Sequence, residues 1–343
     1  MTRQQLHLDR WVVALLALVL TATALPAAAQ QVNWKMHVVW VPARPEAQAY
    51  QDFANLVNAR AKGKLNITLY TGGSLGVKDV DMLRVLPADN VLQAAGLYPG
   101  YMSRDEPEHA ITLPPGVLPD AESMVKALPA LTRIYQATYD KWGVKLLGYV
   151  AHPIRNMDIM CKEPINSLAQ LKGKKLRVWE KSQVDTFVSL GIAAQVIGQN
   201  DLYMAIKTGV VDCAVYAPAL AMTISLQEVA PYAAYLFPYV LHPLNLIVSK
   251  KAFDALAPDV QKIVEDAAAE VQKKTTETYL KGEFDKIGEA DFKKKGGVML
   301  APFSQADQSA FVKASREIWE KSAMEIGKNA QENRDAVLKA VAG

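Results

Sequence analysis

Two hydrophobic periods take turns along this chain. VNWKMHVVWV (32–41) is a β-rich run and reads as a first strand. Tyr50, Phe53, Ala54, Val57 and Ala61 then recur at helical spacing, and Gly63 stands as a stop. LNITLY (65–70) alternates and is β-branched, TGGSLG (71–76) is a glycine turn, and VKDVDMLRVL begins another helix. Strand, helix, strand, helix predicts a parallel α/β unit.

The pattern repeats beyond the Pro-rich LPPGVLP (113–119) and the helix AESMVKALPALTRIYQATYDKWG. VKLLGYVA (144–151) reads as a strand, and IRNMDIMC (154–161) as another, setting Ile154, Asn156 and Asp158 against Arg155, Met157 and Ile159. KKLRVW, a short helix in SQVDTFVSLG, the strand AAQVIG, the helix QNDLYMAIKTG and the strand VVDCAVYA make a second α/β lobe. YLFPYVLHPLNLIVSK is extended and apolar. Val260, Ile263, Val264, Ala267, Ala268 and Val271 then mark the stripe of one long amphipathic helix. VMLAPF is a last strand, and Ser304 with Asp307 gives a capping pattern for the C-terminal helices.

The N-terminal stretch changes the picture of where the protein works. Arg3 and Arg10 bracket a basic start, WVVALLALVL (11–20) is apolar, and alanines at 27 and 29 fit a cleavage site. Residues 1–29 are thus expected to be a cleaved secretory signal, and the mature protein to be periplasmic. The apolar run falls short of the roughly 20 residues a membrane span needs. Removing Arg3, Arg10 and Asp9 from the 38 basic and 35 acidic residues leaves 36 against 34, which gives no electrostatic case for nucleic acid. Cys161 and Cys213 form either one disulfide, which an exported chain permits, or two buried thiols.

Candidate chemistry narrows further. The histidines at 7, 37, 109, 152 and 242 form no metal-ligand spacing, and neither a dinucleotide fingerprint nor a P-loop occurs, so no cofactor is expected. Gly72-Gly73-Ser74-Leu75-Gly76 matches the G-x-S-x-G of a hydrolase nucleophile elbow, with His152 or His242 placed to complete it. An exported serine hydrolase using Ser74 is therefore the alternative reading; the bland one is a turn needing positive φ at its glycines.

Arg177 is the sharper feature, a guanidinium inside the apolar strand KLRV. It either pairs with a fixed carboxylate such as Glu180 or Asp185, or awaits an external anion. Arg155 lies in a second apolar strand of the same lobe. Two strand arginines facing one cleft make a fork that matches carboxylate geometry. Trp179 and Tyr216 beside them would wall the site.

LYTGGSLG (69–76), LAQLKGKKLRVWE (168–180), YMAIKTGVVDCAVYAP (203–218) and FDALAPDVQKIVEDAA (253–268), in this order, resemble the extracytoplasmic solute receptors of TRAP transporters, of the dicarboxylate-receptor type. The resemblance implies a periplasmic binding protein of two α/β lobes, with crossing hinge strands and a long bracing helix. Lobe I is then expected to hold 30–153 plus 241–283, and lobe II 154–240 plus 284–335. It implies a non-enzymatic receptor whose partners are a small organic acid and the TRAP membrane subunits. Arg177 would hold the carboxylate, with Arg155 as the second arginine, and Gln199, Tyr98 and Trp40 would line the pocket. DCAVYAP places Tyr216 where the family often has asparagine nearby, and Trp179 replaces a common proline. These departures point to a flatter or more apolar acid, aromatic or 2-oxo/2-hydroxy.

Overall fold

A computed structural model describes residues 31–112, 116–238 and 243–342. The expected signal segment and His242 lie outside these residues. The first sheet joins β1 (Val32–Val38), β2 (Leu65–Tyr70), β3 (Ala94–Leu97), β4 (Val144–Ala151) and β10 (Pro243–Ser249) in the order β2-β1-β3-β10-β4. The second joins β5 (Asn156–Cys161), β6 (Lys175–Val178), β7 (Ala193–Val196), β8 (Cys213–Tyr216), β9 (Tyr232–Pro238) and β11 (Val298–Met299) in the order β11-β9-β5-β8-β6-β7.

Two lobes follow from these two sheets. β1 runs parallel to β2 and β3, and β6 runs parallel to β7 and β8, as the alternating strand and helix patterns predict. The antiparallel members are those that cross between lobes. β4 pairs antiparallel with β10 in the first sheet, and β5 pairs antiparallel with β9 in the second. The chain therefore changes lobe between Ala151 and Asn156, and again between Pro238 and Pro243. The alternation expected in β5 gives way to burial of every residue from Met157 to Cys161, because β5 lies between β8 and β9.

Helix α1 (Pro45–Ala61) shows how local sequence builds this frame. Pro45 sits at its first position, where its missing N–H costs nothing. Tyr50, Phe53, Ala54 and Val57 bury one face against the first sheet, and the helix ends where Lys62 and Gly63 turn to positive φ. α2 (Ala121–Lys141) covers the other face of that sheet, its first turn capped by Asp120 accepting from the Ser123 N–H at 2.7 Å. In the second lobe α3 (Lys181–Ser189), α4 (Leu202–Lys207) and α5 (Pro218–Ala221) each follow a parallel strand.

The expected single bracing helix is two. α6 (Pro258–Lys281) packs on β4 and α1, while α7 (Glu283–Lys294) packs on α5 of the second lobe. Gly282 stands between them at φ 62°, a conformation that glycine adopts without a Cβ clash, and it turns the brace at the lobe boundary. The stripe of α6 survives as buried Val260, Val264, Ala267, Ala268 and Val271. The helix expected from 77 to 86 is instead a 3-10 turn, a single α turn and another 3-10 turn across 79–88. VMLAPF contributes only the two residues of β11. Ser304 does cap α8 (Gln305–Ile326), accepting from the Asp307 N–H at 3.1 Å. α8 packs on α3 and β9, and α9 (Lys328–Ala342) returns to pack on α2.

The cysteine alternatives resolve to a disulfide. Cys161 on β5 and Cys213 on β8 are register partners and are bonded to each other.

Candidate ligand-binding site

Parallel strands deliver their side chains to one place, the gap beyond their carboxyl ends, which is where α/β folds form ligand sites. Trp40 and Arg44 follow β1, Tyr98 and Tyr101 follow β3, Trp179 follows β6, Gln199 follows β7, and Tyr216 ends β8. With Arg177 and residues of the β4–β5 crossing they line a cavity between the lobes.

Of the residues expected there, Arg177, Trp179, Gln199, Tyr216, Tyr98 and Trp40 all line this cavity. Arg155 does not. It lies just ahead of β5, its guanidinium donating to the Leu280 carbonyl at 3.3 Å and standing over the Tyr279 ring, while its backbone N–H is bound by Asp285. The second guanidinium of the cleft is Arg44, which the strand-arginine argument missed because Arg44 caps a helix. Its signal was available: Arg44-Pro45-Glu46 opens α1 directly after a strand, at the ligand end of the fold.

Arg177 is 2% exposed, yet neither Glu180 nor Asp185 neutralises it. Its Nε donates to the Ile197 carbonyl at 2.9 Å and its Nη1 to the Val215 carbonyl at 3.3 Å. The guanidinium also stands 5.8 Å from the Tyr216 ring centre. Glu180 instead accepts from Tyr98 and Ser182, and Asp185 pairs with Lys181. Among the described residues no carboxylate lies within ion-pair distance of Arg177. Burial pulls its pKa below arginine's ordinary value, the direction expected of a charge held out of water without a counter-ion.

Arg44 is satisfied differently. Its Nε and Nη2 donate to the two oxygens of Glu46 at 2.9 and 2.6 Å, a bidentate pair buried at 2% and 0% exposure. Its Nη1 reaches across the cleft to Gln199 Oε1 at 2.9 Å and the Tyr216 hydroxyl at 2.8 Å. Burial alone would push the Glu46 carboxyl up, but Arg44 and then His152 more than reverse it, holding it well below the usual carboxylate range. His152 Nε2 lies 2.6 Å from Glu46 Oε1 and must carry a proton to make that bond, since a carboxylate only accepts. Burial pushes the imidazole pKa down against the pull of Glu46.

The walls are aromatic. Tyr98 and Tyr101 meet edge to face at 5.2 Å, Trp40 stacks on Tyr50 at 5.9 Å, and Trp179 packs against the cores of both lobes. The glycine turn at 71–76 shapes this wall: the N–H groups of Gly72 and Gly73 donate to the carbonyls of Trp40 and Val38 at 2.8 and 3.2 Å. Ser74 itself is exposed, and His152 is committed to Glu46. Nothing among the described residues assembles a base against Ser74, and no group of three His, Cys, Asp or Glu is placed there to hold a metal.

Comparison with known proteins fits this architecture. Residues 36–325 match the family model of bacterial extracellular solute-binding proteins, family 7 (DctP). A solute-binding protein of Sulfitobacter sp. (strain NAS-14.1) is 27% identical over 64% of this chain and 66% of its own length. The C4-dicarboxylate-binding periplasmic protein DctP of Rhodobacter capsulatus is 23% identical over 73% of this chain and 74% of its own. These matches span about two thirds to three quarters of those relatives. Among solved structures, a TRAP periplasmic solute-binding protein from Ralstonia eutropha H16 with bound (S)-2-acetolactate has a TM-score of 0.77 at 25% identity, covering 90% of this chain and 99% of that one. The fold is also that of DctP7, a Bordetella pertussis extracytoplasmic solute receptor binding pyroglutamic acid, with a TM-score of 0.81 at 20% identity over 91% of this chain and all of that one. With more than half its length matched, the chain belongs to the bacterial extracellular solute-binding proteins of family 7.

Proposed function

We propose that this chain is an exported, periplasmic receptor that captures a small organic acid by its carboxylate and hands it to the membrane subunits of a TRAP transporter. The carrying observation is Arg177, a buried guanidinium anchored by two backbone carbonyls with no carboxylate of the chain in ion-pair reach among the described residues. An anion from outside completes it. The structural relatives named above were solved with carboxylate-bearing molecules, acetolactate and pyroglutamic acid, which supports the same class here. Trp40, Tyr98, Trp179, Gln199 and Tyr216 form the rest of the binding surface. Catalysis has no part in this reading: the ligand is held and released unchanged. Among the described residues no helix is long and apolar enough to cross a membrane, which suits a receptor that meets its transporter from outside.

Two lobes, 31–153 with 243–281 and 154–238 with 283–326, would close over the ligand about the β4–β5 and β9–β10 crossings. Arg44 to Gln199 and Tyr216, and Tyr98 to Glu180, are hydrogen bonds that join the two sheets across the cleft, and closure would depend on them.

The test is isothermal titration with the acid retained through purification, identified by mass spectrometry. Removing one partner of a buried charged pair costs about 2–5 kcal/mol, so Arg177→Ala is expected to weaken binding by roughly 30- to several-thousand-fold. Arg177→Lys is expected to fail as well, because an ammonium cannot offer two parallel hydrogen bonds. Near-wild-type affinity in both variants would overturn the reading.

A further inference from the structure

The cleft holds two guanidinium groups but only one uncompensated charge. Arg44 is matched atom for atom by Glu46, which is fully buried and has no solvent to turn to. His152 donates to the same carboxylate, and burial favours its neutral form. Glu180, held beside the cavity by Tyr98 and Ser182, adds no positive charge. The net charge presented to a ligand is therefore at most that of Arg177 alone.

A second observation concerns Gln199. Its Oε1 accepts from Arg44, which fixes the amide so that Nε2 is the free end. That Nε2 is buried without a hydrogen-bond partner among the described residues, although Gln199 lines the cavity. A buried donor left unmade is costly, so the site gains from an acceptor placed opposite it.

We propose that Glu46 is a built-in counter-ion that makes this cleft selective for monocarboxylates, and that the bound acid carries an uncharged acceptor oxygen for Gln199, an oxo or hydroxyl group, beside a flat or apolar body. The proposal rests on Arg177 as the carboxylate anchor. A second carboxylate would have to lie near Glu46 with no cation of its own, and an unpaired charge taken out of water loses far more than a hydrogen bond returns. The rings of Trp40, Tyr98 and Trp179 offer the remainder of the ligand contact area and no charge.

Matched acids of one carbon skeleton test this by isothermal titration on the purified chain: 2-oxopentanoate against 2-oxoglutarate, 2-hydroxybutanoate against malate, 2-methylbenzoate against phthalate. The monoacid is expected to bind at least about tenfold tighter than its diacid in every pair with measurable binding, a ratio well within what one uncompensated buried charge imposes. Pentanoate, which lacks the acceptor, is expected to bind more weakly than 2-oxopentanoate. Glu46→Gln frees the charge of Arg44, so in that variant the gap narrows or reverses. A diacid that matches its monoacid in the native chain overturns the proposal, as does silence from every monoacid, or an unchanged gap in a Glu46→Gln chain whose melting curve shows it folded. Should that variant not fold, the native pairs decide alone. Diacids favoured while Arg177→Ala abolishes binding strikes the counter-ion and spares the anchor; binding that survives Arg177→Ala strikes the anchor itself.

Discussion

Single side chains in this protein differ less by type than by what completes them. Arg44 and Arg177 are both 2% exposed, yet one is closed by Glu46 and the other stays open to the cavity. Asp158 is the acidic counterpart of an unmet group. It is 3% exposed on β5, and its Oδ1 has no hydrogen-bond partner among the described residues. Burial, then Glu289 and Asp285, push its pKa well above the ordinary value. The folded chain thus keeps a proton that the unfolded chain, titrating near about 3.9, gives up. Stability is full below that pH and falls as pH rises toward the raised folded value. Asp285, pushed up to about 6 chiefly by burial, adds the same downward slope between its ordinary range and that value. Asp158→Asn is accordingly expected to raise the melting temperature at about pH 8, by about 2–4 °C for each kcal/mol relieved, and to change it little at about pH 4. Calorimetry at the two pH values checks this; an equal shift at both would assign the effect to packing.

Elements here are placed by small residues as much as by large ones. α7 reaches α5 through Gly288, where an added Cβ would stand 2.1 Å from the Ala219 Cβ and 2.3 Å from its Cα. The nearer obstacle includes backbone, so a side chain at 288 forces the helices apart. Gly288→Ala is expected to cost about 1–3 kcal/mol, the range for overpacking a close contact, with a lower denaturation midpoint and an unchanged slope in urea. Elements were also the level most legible in the sequence. α1 declares itself by its apolar stripe and its Gly63 stop, and β2 by the alternation and β-branching of LNITLY. The break at Gly282 was not legible, because the apolar stripe of α6 says nothing about a turn beyond its end. Arg155 misled for a related reason: a short apolar neighbourhood looks the same whether its strand points into the cleft or its residue sits at the lobe boundary beside Tyr279.

At the scale of the whole molecule, polar contacts join the two lobes over the cleft, among them Arg44 to Gln199 and Tyr216 and Tyr98 to Glu180. Tyr98 follows a strand of the first lobe and donates to Glu180 of the second. Burial pushes the Glu180 pKa up, against the Tyr98 and Ser182 donors. Tyr98→Phe removes one donor from this carboxyl. Hydrogen bonds to charged groups contribute about 1.5–3 kcal/mol, so ligand binding is expected to weaken by roughly 10- to 150-fold. Small-angle scattering of the ligand-free variant is expected to show a larger radius of gyration than the native chain. An identical radius and affinity would mean that closure does not run through this bond.

The sequence by itself determined the alternation of strands and helices, the family blocks, and the isolated charge of Arg177 in an apolar strand. Those features are local, written in side-chain period, turn glycines and the mismatch of one residue with its neighbours. Only the tertiary structure decided which charges meet. Arg44 faces Tyr216 across 172 positions of chain, and Cys161 meets Cys213 because β5 and β8 are paired in register. Whether a buried cation is spent or waiting depends on what the fold brings within three ångströms of it, and Coulomb energy follows distance in space rather than order along the chain.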